Sequence, residues 1–147
     1  MTTFYFVVPG EPQGKARPRF SRKNGHSYTP DKTVAYEELV RQRFLDTAQG
    51  LRFSDDEPVF IKIIANYTIP KSASKKKRQR MLDDEIQPMK KPDADNCLKV
   101  VCDALNGIAY HDDAQIVQAK IEKHWTNNGC VIVLMTDKEG FENGWVD

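Results

Sequence analysis

Residues 59 to 69 read Val-Phe-Ile-Lys-Ile-Ile-Ala-Asn-Tyr-Thr-Ile, so that Val59, Ile61, Ile63, Ala65 and Tyr67 fall on every second position before Pro70 ends the run. Side chains on a strand alternate between its faces, and this segment therefore presents one unbroken apolar face about 30 Å long. That face has to be buried. A chain of 147 residues must set this strand in a sheet and cover that face with another layer.

The flanking segments supply the partners. Phe4 to Val8 is a short aromatic and β-branched run closed by Pro9-Gly10, which reads as a first strand. The turn-rich, basic stretch from Glu11 to Tyr28 follows. Thr29-Pro30-Asp31 has the form of a helix start, with Thr29 as N-cap and Pro30 at the first helical position. Tyr36, Leu39, Val40 and Phe44 then recur at helical spacing up to a stop at Gly50.

Beyond Pro70 comes a connection from Lys71 to Lys91, long enough to be either functional or mobile. The spacing predicts a second helix from about Asp95 to Asn106-Gly107, with Leu98, Val101, Cys102 and Leu105 as its buried stripe. Two last strands, Ile116 to Trp125 and Cys130 to Thr136, are joined by the turn signal Asn127-Asn128-Gly129. The order β-α-β-α-β-β predicts one α+β domain over 1–147, a mixed β-sheet of about four strands carrying two main helices.

No apolar stretch approaches the roughly 18 residues of a membrane span, and the first residues lack a basic segment followed by an apolar one. The expectation is a soluble, cytoplasmic protein. Cys97, Cys102 and Cys130 form no Cys-x-x-Cys pair and read as small apolar residues. The histidines His26, His111 and His124 share no ligand spacing. With 22 Lys+Arg against 21 Asp+Glu, the net charge of +1 argues against a nucleic-acid partner. The average conceals structure, however: residues 71–91 hold 8 basic and 3 acidic residues, whereas 92–147 hold 4 and 10.

The acidic third contains the most informative segment, Lys90-Lys91-Pro92-Asp93-Ala94-Asp95-Asn96-Cys97-Leu98-Lys99. If the apolar stripe faces the core, Asp95, Lys99 and Asp103 line a more exposed flank, and Asp93 stands at the helix entrance. The loop after Asn106-Gly107 is short enough to fold Asp112-Asp113 back towards that helix. A plain reading makes Asp93 or Asp95 a helix cap, Asp95 and Lys99 an ion pair, and Asp112-Asp113 a turn. Against it stands the combination of two acidic pairs in one local unit, flanked by basic stretches suited to a polyanion.

Other acidic motifs fail on inspection. An EF-hand counted from Asp93 would put Leu98 where glycine is required. A phosphatase-type Asp-x-Asp follows a buried apolar strand, not Lys90-Lys91-Pro92. Gly10 to Lys15 is one residue short of a phosphate-binding loop, and Ala16 replaces its Ser/Thr. Metal-assisted phosphodiester hydrolysis fits: Mg2+ takes hard oxygen ligands, polarises the phosphate and acidifies a bound water. Asp93, Asp95 and Asp113 are then the candidate ligands and Lys99 their electrostatic partner.

Three spaced blocks, Lys91-Pro92-Asp93-Ala94-Asp95-Asn96 with Lys99, Asp103-Ala104-Leu105-Asn106-Gly107, and Asp112-Asp113-Ala114-Gln115-Ile116, resemble the signature of the RusA-type Holliday junction resolvases. Looser similarity runs from Val8-Pro9-Gly10 and Lys15-Ala16-Arg17-Pro18-Arg19 to the last strands. The resemblance implies a small homodimeric endonuclease, often phage- or prophage-encoded, that cuts four-way DNA junctions during recombination and repair. It implies Mg2+, for which Mn2+ can substitute, no small-molecule cofactor and no membrane. Its catalytic aspartates fall on Asp93, Asp95 and Asp113 and its lysine on Lys99, with Asp112 as an adjacent acidic position ranked below Asp113. Cys97 departs from the pattern, standing where a larger apolar residue is common, and the 71–91 connection is longer than in the smallest members.

The basic clusters Lys15, Arg17, Arg19, Arg22, Lys23 and Lys75, Lys76, Lys77, Arg78, Arg80 suit phosphate contact with little base reading. Phe20 and Tyr28 are expected to pack against the domain rather than stack on a base, His111 to be a loop residue, and Trp125 to be core or dimer surface. Two symmetric nicks require two sites, hence a dimer. The competing expectations are a less selective branched-DNA nuclease and a non-cutting DNA-binding phage regulator.

Overall fold

The computed structural model describes residues 1–145. A four-stranded mixed sheet runs in the order β1 (Thr3–Pro9), β6 (Cys130–Thr136), β4 (Val59–Thr68), β5 (Ile116–Thr126). β4 is parallel to β5 and antiparallel to β6, which is antiparallel to β1. The alternation in β4 is borne out: Val59, Ile61, Ile63, Ala65 and Tyr67 are all buried. They share a face with Phe4, Phe6 and Val8 of β1 and Val131, Val133 and Met135 of β6.

Two helices close that face, α1 (Asp31–Ala48) and α3 (Ala94–Leu105), packed against each other. Tyr36, Val40 and Phe44 of α1 are buried, with Leu39 packed at the margin. The helix begins one residue later than its sequence suggests. Pro30 occupies the N-cap, with no side-chain hydrogen bond, so Thr29 is not the cap. In α3 the buried stripe is Cys97, Val100, Val101, Cys102, Ala104 and Leu105, whereas Leu98 turns half out towards β5.

The structure adds elements that the sequence did not disclose. A two-stranded hairpin, β2 (Arg19–Phe20) and β3 (Ser27–Tyr28), lies in the basic N-terminal loop. The connection 71–91 contains a helix, α2 (Lys75–Leu82), whose N-cap Ser74 accepts from the Lys77 N–H at 3.2 Å. A last short helix, α4 (Lys138–Glu142), follows β6.

The segment Asn127-Asn128-Gly129 does not make a hairpin between adjacent strands, because β4 lies between β5 and β6. The connection crosses the end of β4, where the Gly129 N–H donates to Thr68 Oγ1 at 2.8 Å. A Cβ on Gly129 would collide with the Glu11 carboxylate, so glycine is required by close approach.

α2 is polar up to Met81 and Leu82, of which only Met81 is buried, and it is moored by that side chain and by polar ties. The Arg78 guanidinium donates to Asn127 Oδ1 at 3.3 Å and the Pro70 carbonyl at 3.4 Å. His124 of β5 bridges Asp84, just after α2, at 2.8 Å and Glu122 at 3.2 Å, and Glu122 also meets Lys62 and Lys120. Burial alone would lower the pKa of His124, but its bonds to Asp84 and Glu122 outweigh this and raise it. A raised histidine contributes stability below its unfolded value of about 6.5 and loses it as pH rises through the folded value. The urea midpoint should therefore fall as pH rises from about 6.5 through the folded value, and His124→Gln should flatten that fall.

Candidate active site

The helix α3 and the loop behind it assemble the site. Asp93 occupies the N-cap of α3, but its carboxylate makes no capping bond and stays free for another partner. At the other end the chain turns at Gly107, whose φ of +73° only glycine adopts readily. Tyr110, fully buried, then donates its hydroxyl to the Cys102 carbonyl at 2.7 Å. The Asp113 N–H donates to Asn106 Oδ1 at 2.9 Å, pinning the second acidic pair against the end of α3.

The two members of that pair differ in their engagement. Asp112 caps the 3-10 turn Asp113–Gln115, accepting from the Ala114 N–H, while the Gln115 side chain returns a bond to the Asp112 N–H. Asp113 has no such structural duty. Its side chain, with Asp95, Lys99 and Asp103, lines a cleft between α3 and β5 whose floor and far wall are Leu98, Cys102, Ile116, Val117, Gln118 and Ala119. Partial burial, then the nearby carboxylates of Asp112 and Asp103, hold the Asp113 pKa above its usual range.

Asp93 lies apart from this group. It lines the neighbouring groove with Arg19, Lys32, Lys91 and Asn96. Among the described residues, no three His, Cys, Asp or Glu side chains are gathered closely enough to hold a metal ion. The donor chemistry of the cleft nevertheless fits a hard divalent cation, since the carboxylates of Asp95 and Asp113 offer hard oxygens. The Cys102 thiol, pushed up to about 12 by burial, stays protonated and offers no soft ligand.

The family model described as Endodeoxyribonuclease RusA matches residues 9–136. The chain belongs to the RusA endodeoxyribonuclease family. The matched span holds every element of this cleft, from the first basic loop to β6. YqaN of Bacillus subtilis (strain 168), itself an uncharacterized protein, is 33% identical over 141 residues, covering 93% of this chain and 98% of the relative. Metal dependence in this family is on a divalent ion, in keeping with the oxygen donors of the cleft.

Several surface residues of this RusA-family chain sit differently from their sequence expectation. Phe20 and Tyr28 are not packed on the domain; they are 69% and 49% exposed on the hairpin beside Arg19. Arg17, Arg19, Lys75, Lys76 and Lys77 are exposed, whereas Arg78 is spent on mooring α2. Lys15 is turned inwards, its ammonium bonded to both oxygens of Glu37 at 3.1 and 3.2 Å and 3.5 Å from Asp103. Glu37 was not singled out in the sequence, where it looks like any exposed helix acid. Trp125 packs edge-on against Tyr67 at 6.3 Å on the helix-bearing side, and His111 is an exposed loop residue. Cys97 and Cys102 are buried and Cys130 half-buried, all three free. No described helix is long and apolar enough to cross a membrane.

Proposed function

We propose that this chain is a Mg2+-dependent, structure-selective endonuclease that resolves four-way DNA junctions by paired nicks, acting as a homodimer. The observation that carries the reading is the convergence of Asp95, Lys99 and Asp113 on one cleft beside exposed basic and aromatic elements. Asp95 and Asp113 would hold the metal, joined by Asp93 from the adjoining groove, with Asp112 kept to its cap. Mn2+ can take the same oxygen ligands. Bound Mg2+ supplies Lewis acidity to the scissile phosphate and a more acidic water. Lys99 stands one helical turn from Asp95, where its ammonium meets the charge that builds on the phosphate.

The exposed lysines of α2 and the arginines of the hairpin track the backbone, and Phe20 and Tyr28 offer flat faces to bases unpaired at a crossover. A single small chain offers one cleft, so two symmetric cuts require two copies. Recombination and repair, in a prophage setting, is the role such a reaction serves. No other cofactor and no membrane partner enters this reading.

The test is nicking of an end-labelled synthetic four-way junction with Mg2+ against a linear duplex of the same sequence. Paired nicks confined to the junction support the reading. Equal cutting of both marks an unselective nuclease, and binding without cutting in Mg2+ or Mn2+ marks a non-cutting junction protein. A second measurement addresses α2. Replacing Lys75, Lys76 and Lys77 by serine should weaken junction affinity on the order of 10 to 100 fold and reduce the slope of log affinity against log salt by about 3. Fluorescence anisotropy across a salt series reads both.

A further inference from the structure

We propose that Lys15 is a positioning residue rather than a phosphate contact: it latches the basic N-terminal loop to α3 and keeps the Asp103 carboxylate away from Lys99. The inference rests on reading the α3–β5 cleft as the active site. Its first support is the placement of the ammonium. Lys15 Nζ lies 3.1 Å from Glu37 Oε1 and 3.5 Å from Asp103 Oδ2, with side-chain exposures of 19%, 11% and 25% for Lys15, Glu37 and Asp103. A phosphate approaching it would have to displace two carboxylates that repel the phosphate itself.

The backbone on either side is docked just as firmly. Lys15 N–H donates to the Asn96 carbonyl at 3.3 Å and Ala16 N–H to Thr33 Oγ1 at 3.4 Å. Gly14 lies so close to the first turn of α3 that a Cβ there would stand 2.8 Å from Pro92 Cβ and 3.0 Å from Asn96 Cβ. Residues 14–16 therefore form a strut across α1 and the start of α3, next to Asp93 and Asp95.

The second support is the spacing along α3. Asp95, Lys99 and Asp103 follow one another at intervals of four, and all three line the cleft. Side chains four apart on a helix are neighbours, so an Asp103 released from Lys15 finds its next cation in Lys99. Capture of Lys99 would remove the ammonium assigned to the phosphate. Lys15 thus acts through Asp103 on Lys99, one cation guarding another.

The test uses the full chain and separates binding from turnover. Lys15→Met combined with Glu37→Gln removes the latch without leaving a lone buried carboxylate. Single-turnover nicking should fall at least about tenfold while junction affinity and its salt slope, measured in EDTA, stay within about twofold of wild type. Adding Asp103→Asn should restore a large part of the lost rate, because no carboxylate remains to capture Lys99, and Lys15→Arg alone should retain most of it. A slope reduced by about 1 with weakened affinity would identify Lys15 as a phosphate contact and overturn the proposal. Failure of Asp103→Asn to restore any rate would overturn it too. Should wild type fail to nick the junction, the functional reading fails by itself, and the salt slope in EDTA still decides for or against Lys15.

Discussion

Asp95→Asn is expected to slow Mg2+-dependent junction nicking on the order of 100 to 1000 fold while leaving junction binding within about twofold. The substitution keeps the shape of the side chain and removes its charge. Asp95 is exposed in the first turn of α3, and no hydrogen bond or ion pair involving its carboxylate supports the fold among the described residues. Thermal stability should therefore be nearly unchanged, which separates a chemical defect from a folding one. On the proposed reading the carboxylate would repel phosphate rather than help to bind it, so affinity in EDTA should hold or rise slightly. Single-turnover kinetics with enzyme in excess check the rate, and a loss smaller than about threefold would remove Asp95 from the metal site.

The second large effect concerns the fold beneath the site. Phe44→Ala should cost about 3 to 5 kcal/mol, a large part of the total stability of a domain of this size. Phe44 is 1% exposed and lies 4.9 Å from the ring of Phe4, edge to face, and 5.9 Å from Phe6, stacked. Those contacts hold α1 on the sheet. Because α1 carries Thr33 and Glu37, which grip the strut at residues 14–16, loss of packing at Phe44 should reach binding and cutting together. Leu45→Ala is the control: that neighbour is 47% exposed, and its truncation should stay within about 0.5 kcal/mol. Urea denaturation of both variants measures the difference.

Local patterns predicted the local elements. The alternation at Val59 to Tyr67 and the short loop that returns Asp113 to Asn106 appear as the sequence indicates, and in α3 Val101, Cys102 and Leu105 are buried as expected while Leu98 is not. What escaped depends on partners far along the chain. α2 buries only Met81, so it carries no apolar stripe to betray it; the serine cap at Ser74 was its one signal. A turn at Asn127-Asn128-Gly129 reports that the chain reverses, not that β4 lies between the reversed strands. Thr29 was displaced as cap because Pro30, with its fixed φ, takes the position itself.

The same holds within the site. Asp95, Lys99 and Asp103 were legible as one flank of one helix, and the structure lines them along one cleft. Asp112 and Asp113, adjacent in sequence and equal in charge, are told apart only by the cap that Asp112 makes. Lys15 resembled its basic neighbours until its partners, Glu37 on α1 and Asp103 on α3, were seen. Phe20 and Tyr28 were expected to be covered because aromatic side chains usually are, yet a hairpin with two residues per strand has no body to cover them.

The pairing of β1 with β6, Thr3 opposite Thr136 and Pro9 opposite Cys130, also sets how much of the chain the fold needs. During synthesis the first strand waits for the last one, and β6 is also what joins β1 to β4. Until about residue 136 has emerged, the sheet under α1 and α3 lacks its second strand from one edge. A chain cut before β6 thus holds the acidic helix without the strand that joins β1 to β4 beneath it. The platform of the cleft therefore needs the chain through Thr136, and a fragment ending before β6 is expected to lack the folded cleft.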